Sequence, residues 1–379
     1  MDLYYYSLAL AGAFVYGFPS QKLVVIGITG TSGKSTTVEI LSKILEESGL
    51  KTASLSSVRF KIDKKEKINM LKMTMPGRFA IQKFLRQAVN VGCKYAVLEI
   101  TSEGIKQFRH KFIKFDVAVF TNLSPEHIES HCGYENYRKA KQKLFEATKN
   151  IHIINKDDNN ADYFWKIPAV KKIGYSLKED AFLLPKINLL GEFNSYNALA
   201  AIKTAMSLGV NMEVCQRVVE KFKGMPGRME VVAKEPFIVI VDYAHTPEQL
   251  KQVYLTFKNQ PKICVLGSCG GGRDKWKRPV LGKIAAQYCD EIIITNEDPY
   301  DENPMEIINQ IAEGASGRAI KILDRREAIK KALALAKSGD IVIITGKGCE
   351  PWMCVANGKK ILWDDRQIVR EELAQKILK

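Results

Sequence analysis

An α/β fold with two successive sheets, the first mainly parallel, is predicted from three features of the 379-residue sequence. The β-branched run KLVVIGITG ends in a glycine-rich turn and passes directly into STTVEILSKILEESGL, whose apolar residues recur at helical spacing. Strand-length apolar runs then alternate with amphipathic stretches of helix length, the pattern of parallel βα units. A second alternating series starts after GMPGRME, where glycine and proline punctuate the chain.

Residues 1–22 form an apolar N-terminal segment, uncharged from Leu3 to Ser20 and close to bilayer-spanning length. It contains Gly12, Gly17 and Pro19, lacks the basic stretch of a secretion signal, and carries three tyrosines at one end. It reads as a helix packed on the body of the protein, with peripheral membrane contact through residues 3–20 as the alternative. Residues 23–223 form the first domain: YAVLEI and DVAVFTNL read as buried parallel strands, and YRKAKQKLFEAT as a helix leading to the strand IHIIN. Residues 224–379 form the second, with strands FIVIVDYA, KICVLGS, EIIITN and DIVIITG separated by helical stretches.

With 46% hydrophobic residues the chain can bury a sizeable core, and its length suits two or three domains of roughly 100–200 residues. The formal charge of +15 suits an anionic partner, but no RNP-type box, C2H2 spacing or basic zipper is present, so nucleic acid is not expected. Eight cysteines are scattered without the spacing of a disulfide-stapled domain, and read as reduced thiols in a cytoplasm. The pairs Cys264/Cys269 and Cys349/Cys354 read as buried thiols rather than zinc ligands.

The chemistry begins at GITGTSGKSTT. A phosphate loop needs glycines so that backbone N–H groups can close on oxygen atoms, a lysine for the β/γ charge and a hydroxyl for Mg2+. Gly30, Gly33, Lys34 and Ser35 supply these, and the candidate nucleotide-binding loop runs through Gly30, Thr31, Ser32, Gly33, Lys34, Ser35 and Thr36. Its place between a strand and a helix N-terminus favours anions. Glu99 in LEITSEG and His127 in FTNLSPEHIESH each follow a strand, where ligands of open parallel sheets gather, and could hold a metal ion. These features predict a P-loop ATPase-like first domain and a Rossmann-like α/β C-terminal domain.

The ordered set GITGTSGKSTT, EITSEGIKQFR, TNLSPEHIESHCGYENYRKAK, GEFNSYNALAA, GMPGRME, DYAHTP, GSCGGGRDKWKRP, NEDPYDENP, DRREAI, GKGCE and DDR resembles the Mur ligases over residues 23 to 370, and most closely the MurE type. That type adds the third amino acid to UDP-N-acetylmuramoyl-L-alanyl-D-glutamate in peptidoglycan precursor synthesis. The resemblance implies ATP-dependent amide-bond formation through an acyl phosphate, in a cytoplasmic, monomeric enzyme that uses ATP and Mg2+. It implies that Lys34 contacts the β/γ-phosphates and that Ser35 and Glu99 hold a first Mg2+. His127 would hold a second, helped by Lys141 if that residue is carbamylated, as the matching family lysine is. Asn194 and Asn197 resemble residues around the adenine. Arg228, Asp242 and His245 would close over the nucleotide, domain closure assembling the site and excluding water. Thr74, Ser102 and Arg109 match positions that contact the acceptor, although Glu103 stands where the family has histidine.

Family members that add meso-diaminopimelate typically carry Asp-Asn-Pro-Arg, whose arginine pairs with the distal carboxylate; this chain has Glu297, Asp298, Pro299 and Tyr300. Tyrosine cannot form that bidentate pair, and two acids suit an ammonium group, so lysine is favoured over meso-diaminopimelate. Glu350, after Gly346 in GKGCE, would hold the amine end, with Cys349 in the place of the family's histidine. Full-length members place a domain of roughly 90 residues, within the range of a small domain, before the phosphate loop to bind the uridine diphosphate. In this sequence mostly apolar residues precede the loop, so the acceptor's nucleotide is held differently or the acceptor is only UDP-N-acetylmuramoyl-dipeptide-like. The stretch Arg59 to Arg78, with seven Lys/Arg against Asp63 and Glu66, reads either as a pyrophosphate grip or as a solvated basic loop. Two other readings are a folylpolyglutamate synthase-like ligase, disfavoured by GKST and GKGCE, and a non-catalytic nucleotide-binding scaffold, disfavoured by Lys34, Glu99, His127, Lys141 and Arg228.

Overall fold

The computed structural model describes residues 2–71 and 73–377. The chain divides into two compact units, one of Met1–Pro125 with His131–Lys223, the other of Glu126–Ser130 with Gly224–Lys379. Each carries its own sheet, in the α/β class expected.

The first unit opens with α1 (Asp2–Val15), β1 (Val24–Thr29), α2 (Lys34–Glu47), β2 (Thr52–Leu55), β3 (Arg59–Ile62), β4 (Lys65–Ile68), α3 (Arg78–Val91) and β5 (Tyr95–Glu99). It continues through α4 (Ser102–Lys106), β6 (Val117–Phe120), α5 (Tyr134–Ala147), β7 (Ile151–Asn155), α6 (Ala161–Trp165), β8 (Lys171–Tyr175), α7 (Leu177–Asp180), α8 (Glu192–Ser207) and α9 (Met212–Lys221). The strand order is β4-β3-β2-β5-β1-β6-β7-β8. β1 is central because Val25, Ile26 and Ile28 are all fully buried, which a strand covered by helices on both faces requires. It pairs in parallel with β5 on one side and β6 on the other, matching Ile28 with Glu99 and Thr29 with Phe120. Leu85, Phe115, Phe120, Leu144 and Phe145 belong to the core that covers the sheet.

Within the basic stretch Arg59 to Arg78, residues 59–68 are a hairpin rather than a loop. β3 and β4 form an antiparallel hairpin at the sheet edge, with Lys65 to Ile68 exposed, and such charged edges resist pairing with another chain. Arg59 is held by Glu39 and Glu66, and Lys61 Nζ lies 2.7 Å from Glu46 Oε2, so two of the basic residues are already matched by carboxylates. Lys72 lies outside the described residues.

The N-terminal run packs through α1 onto α3, with buried Ala9 and Ala13 on that face. Arg86 fastens the end of the segment by donating to the Tyr16 and Gly17 carbonyls at 2.7 and 2.8 Å. No described helix is long and apolar enough to cross a membrane.

The second unit contains β9 (Glu230–Ala233), β10 (Ile238–Val241), α10 (Pro247–Thr256), β11 (Lys262–Leu266), α11 (Lys277–Tyr288), β12 (Glu291–Thr295), α12 (Pro304–Gly314) and β13 (Ala319–Ile322). α13 (Arg325–Leu335), β14 (Ile341–Ile344), the small hairpin β15 (Trp352–Cys354) and β16 (Lys360–Leu362), and α14 (Asp365–Ile377) complete it. The order β13-β12-β11-β14-β10-β9 is parallel except for β9. The chain steps outward from β11 to β13 and returns through β14 on the other side of β11, which makes the β11/β14 boundary a topological switch point.

One cysteine expectation is corrected. Cys264 and Cys289 form a disulfide across 25 residues of sequence, because β11 carries one and the turn between α11 and β12 returns the other to the same strand. Spacing along the chain does not reveal a pairing made by a βα crossover. Cys93, Cys215 and Cys354 are buried thiols, and Cys132 is exposed.

Candidate active site

In the first unit the phosphate loop leaves β1 and is held from both neighbouring strands. Gly30 and Gly33 adopt φ values of 153° and 79°, a region that side chains rarely enter. A Cβ on Gly30 would lie 1.9 Å from Thr121 Oγ1, and one on Gly33 2.1 Å from Asn197 Oδ1, so neighbouring side chains close on the backbone at both points. The end of β6 supplies the scaffold: Thr121 Oγ1 donates to the Ser32 carbonyl at 2.7 Å, and Asn122 Oδ1 accepts from Ser32 N at 3.0 Å. Thr31 Oγ1 stands 3.0 Å from Tyr137 Oη on α5. Neither Thr121 nor Asn122 was among the sequence candidates; the TNL tripeptide after an apolar strand was the available signal.

Lys34 opens α2, and its ammonium donates to the Gly30 and Thr31 carbonyls at 3.0 and 2.9 Å. Ser35 Oγ donates to Glu99 Oε2 at 2.8 Å, and the same oxygen accepts from Ser57 N at 2.9 Å. Ser57 Oγ is 2.8 Å from Ser35 Oγ. The Ser35 hydroxyl on a buried carboxylate, with the Ser57 hydroxyl beside it, makes a hard oxygen donor set, which fits Mg2+. Lys141 projects from α5, is buried, and donates to the Gly30 carbonyl at 2.7 Å. Thr36 is buried in the first turn of α2. Asn194 and Asn197 are buried on α8, linked to each other at 3.1 Å, with Asn197 against Gly33.

A second group in this unit joins the acceptor-side candidates. Thr74 lies beside Met75, whose sulfur sits where a Gly104 side chain would be. Arg109 donates to the Met75 carbonyl and, at 2.6 Å, to Gln107 Oε1. Ser102 begins α4, with Thr101 as its cap accepting from Gly104 N at 3.1 Å. Glu103 Oε1 is 3.4 Å from His131 Nε2, an ion pair when the imidazole is protonated. Met75, the chain neighbour of Thr74, thus meets Arg109 and the turn that Ser102 opens.

The second unit holds the remaining candidates. His127 is half-buried at φ 56°, in the segment Glu126–Ser130, which is fastened to the DKWK run. Asp274 accepts from Ile128 N and Glu129 N at 3.0 Å each, and Glu126 pairs with Lys277 at 2.8 Å, both side chains buried. Burial pushes the Glu126 carboxyl above its ordinary range. The Arg228 guanidinium lies 4.1 Å from the centre of the Tyr243 ring. Gly227 before it must lack a side chain, since a Cβ would meet Cys349 N at 2.1 Å. Asp242 accepts from Met229 N and Ala244 N at 2.7 Å each, while burial raises its pKa and Arg228 opposes the rise. Burial, then Lys277, holds the His245 ring well below the usual imidazole range.

The glycine-rich turns after β11 and β14 flank the switch point, where open α/β sheets bind ligands. Lys347 Nζ bonds both oxygens of Asp298 at 2.9 and 3.0 Å and Glu350 Oε2 at 2.7 Å. Glu350 Oε1 accepts from the Tyr243 hydroxyl at 3.1 Å. Gly346, at φ 105°, leaves room for Glu297, whose Oε2 would lie 2.2 Å from a Cβ there. Glu297 also accepts from the Cys269 thiol at 2.9 Å, and burial raises its pKa. Tyr300 places its ring on Gly271. Asp298 is therefore already neutralised by a lysine, which removes half of the acidic argument for an ammonium-bearing substrate. Cys269, Glu297 and Asp298 offer atoms within 4.8 Å of one another, but their sulfur and lysine-bound carboxylate are a poor set for Mg2+. Lys347 and Tyr243 were missed as individual residues although GKGCE and DYAHTP contain them.

The model of the Mur ligase middle domain matches residues 28–205, and that of the Mur ligase, glutamate ligase domain matches residues 227–348. The chain is 36% identical over 406 aligned residues to the UDP-N-acetylmuramoyl-L-alanyl-D-glutamate--2,6-diaminopimelate ligase of Syntrophomonas wolfei, covering 98% of this chain and 82% of that protein. A solved structure of a ligase of that name superposes with a TM-score of 0.62 at 30% identity, over 97% of this chain and 82% of the other. The folylpolyglutamate synthase of Mycobacterium tuberculosis, complexed with ADP and AMPPCP, reaches a TM-score of 0.72 at 15% identity, over 90% and 92% of the two chains, a likeness of fold alone.

Proposed function

The chain belongs to the Mur ligase family of ATP-dependent amide ligases, and from that premise we propose that it joins an amino acid to a UDP-N-acetylmuramoyl-dipeptide-like acceptor in the cytoplasm, in peptidoglycan precursor synthesis. The observation that carries the reading is the Ser35–Glu99–Ser57 cluster beside Lys34 on the phosphate loop.

A carboxylate is a poor electrophile at neutral pH. Transfer of the γ-phosphoryl group of ATP to the acceptor carboxylate releases ADP and leaves an acyl phosphate; the incoming amine then attacks the carbonyl, loses a proton and expels phosphate. Loop N–H groups at the start of α2 and the Lys34 ammonium bind the nucleotide's phosphates. Ser35 and Glu99 would hold a first Mg2+; His127 is the candidate ligand of a second, and Lys141 would help the metals if it is carbamylated. When bound, the metal neutralises charge that builds on the phosphoryl oxygens. Arg228 supplies cationic charge and Asp242 fixes the backbone around it, while Asn194 and Asn197 would lie around the adenine. Thr74, Ser102 and Arg109 bind the acceptor.

The amine substrate is a 2,6-diamino acid. Relatives named for 2,6-diaminopimelate argue against the preference for lysine, and so does the pairing of Asp298 with Lys347; Tyr300 in place of an arginine is what remains in favour of lysine. Glu350 would receive the amine end. Phosphate release measured with purified chain, ATP, acceptor and either lysine or meso-diaminopimelate tests the whole reading. Release that needs both acceptor and amino acid is expected; release independent of either, or none, would reject it.

A further inference from the structure

From Leu3 to Val15 α1 carries no charged residue, yet only part of its circumference is used. Its small residues Ala9, Gly12 and Ala13 face the body of the protein, where a Cβ on Gly12 would lie 3.3 Å from Phe79 Cα of α3. Several large side chains point the other way: Leu3 is 80% exposed, Phe14 75%, Val15 64% and Tyr4 62%. Leu3, Ser7, Leu10, Ala11 and Phe14 fall on one helical stripe, and the Ser7 hydroxyl is turned back onto the Leu3 carbonyl at 2.9 Å. A helix in contact only with water reverses this arrangement.

Apart from Asp2 at the start of α1, the surroundings are basic. No Asp or Glu occurs between Lys67 and Leu98, the stretch that includes all of α3, nor between Gly104 and Phe115. Both stretches touch the N-terminal segment: Arg78 stacks 4.0 Å from the Tyr5 ring, Arg86 holds the Tyr16 and Gly17 carbonyls, and the Phe112 ring lies 5.0 Å from that of Tyr6. Exposed Lys22 and Lys83 lie on the same elements. A second copy of the chain would bring positive charge against positive charge, whereas an anionic lipid headgroup meets the apolar stripe and its rim together.

We propose that α1 and its basic rim form a monotopic docking surface for an anionic bilayer, with the helix lying in the interface. Its 14 residues extend about 21 Å at 1.5 Å per residue, too short for a hydrocarbon core of about 30 Å. The tyrosines at its start suit the headgroup level. The proposal rests on none of the ligase assignments, so the two fail separately.

Co-sedimentation of the full chain with vesicles tests it. Wild-type protein is expected to pellet with equal parts phosphatidylglycerol and phosphatidylcholine, less with phosphatidylcholine alone, and less as salt rises. The double variant Leu10→Glu/Phe14→Glu should bind about tenfold more weakly or worse, with an unchanged circular dichroism spectrum. Hydrogen exchange on wild-type protein, which needs no variant to fold, should show residues 3–15 protected by the anionic vesicles. Wild type left in the supernatant, a double variant that pellets equally, or unchanged exchange would overturn the proposal. So would a concentration-dependent dimer, seen without vesicles and abolished by Phe14→Glu, since the stripe would then be filled by a second copy.

Discussion

Lys347 and Asp298 form a buried ion pair with the ammonium 2.9 Å from one carboxylate oxygen and 3.0 Å from the other, both side chains sealed from solvent at the end of the second sheet. The pair joins the turn after β14 to the turn after β12, and Cys354 N donates to the same carboxylate at 2.7 Å. Lys347→Met leaves a buried carboxylate without its partner and should cost about 3–5 kcal/mol. Adding Asp298→Asn, which removes the charge and keeps an acceptor for Cys354, should recover most of that loss. Urea denaturation of the two variants checks the expectation, and a double variant no more stable than the single would refute it.

Glu99→Gln keeps an acceptor for Ser35 Oγ and Ser57 N but removes the charge expected to face Mg2+. Turnover should fall about 100-fold or more, with the Mg2+ concentration for half-maximal rate raised. The melting temperature should stay within a few degrees. Turnover close to wild type would take Glu99 out of the site.

Tyr300 rests on Gly271 at the edge of the proposed amine pocket. Tyr300→Arg should raise kcat/KM for meso-diaminopimelate relative to lysine by about tenfold, since a guanidinium pairs bidentately with the second carboxylate. A competition assay reads the ratio directly. An unchanged ratio would place the selecting group elsewhere.

His110 is buried, and burial depresses its pKa to about 3. The folded state therefore holds the ring neutral while the unfolded chain takes up a proton at its ordinary value of about 6.5. The stability this contributes is complete above that value and is lost as pH falls toward the folded pKa, at no more than about 1.4 kcal/mol per pH unit. His110→Phe should flatten the loss of stability between about pH 6 and pH 4 by that amount while leaving the protein stable at pH 8. Equal pH slopes for the two proteins would contradict the assignment.

The central strands, the phosphate loop and the glycine-punctuated series of the second sheet follow from the amino-acid order alone. In those places local physics and the fold agree: a fully buried strand must be apolar throughout, and a turn at positive φ needs glycine. The β3–β4 hairpin was not legible, because its lysines read as loop while the sheet edge tolerates them. That Ser57 joins Ser35 on Glu99, that Lys347 neutralises Asp298 and that Cys264 meets Cys289 emerge only in the folded chain. Each is a contact between residues brought together by a crossover or by neighbouring strands, and neither spacing nor composition along the chain encodes it. The apolar N-terminal run was visible at once, but which of its side chains are turned outward depended on where α3 lies.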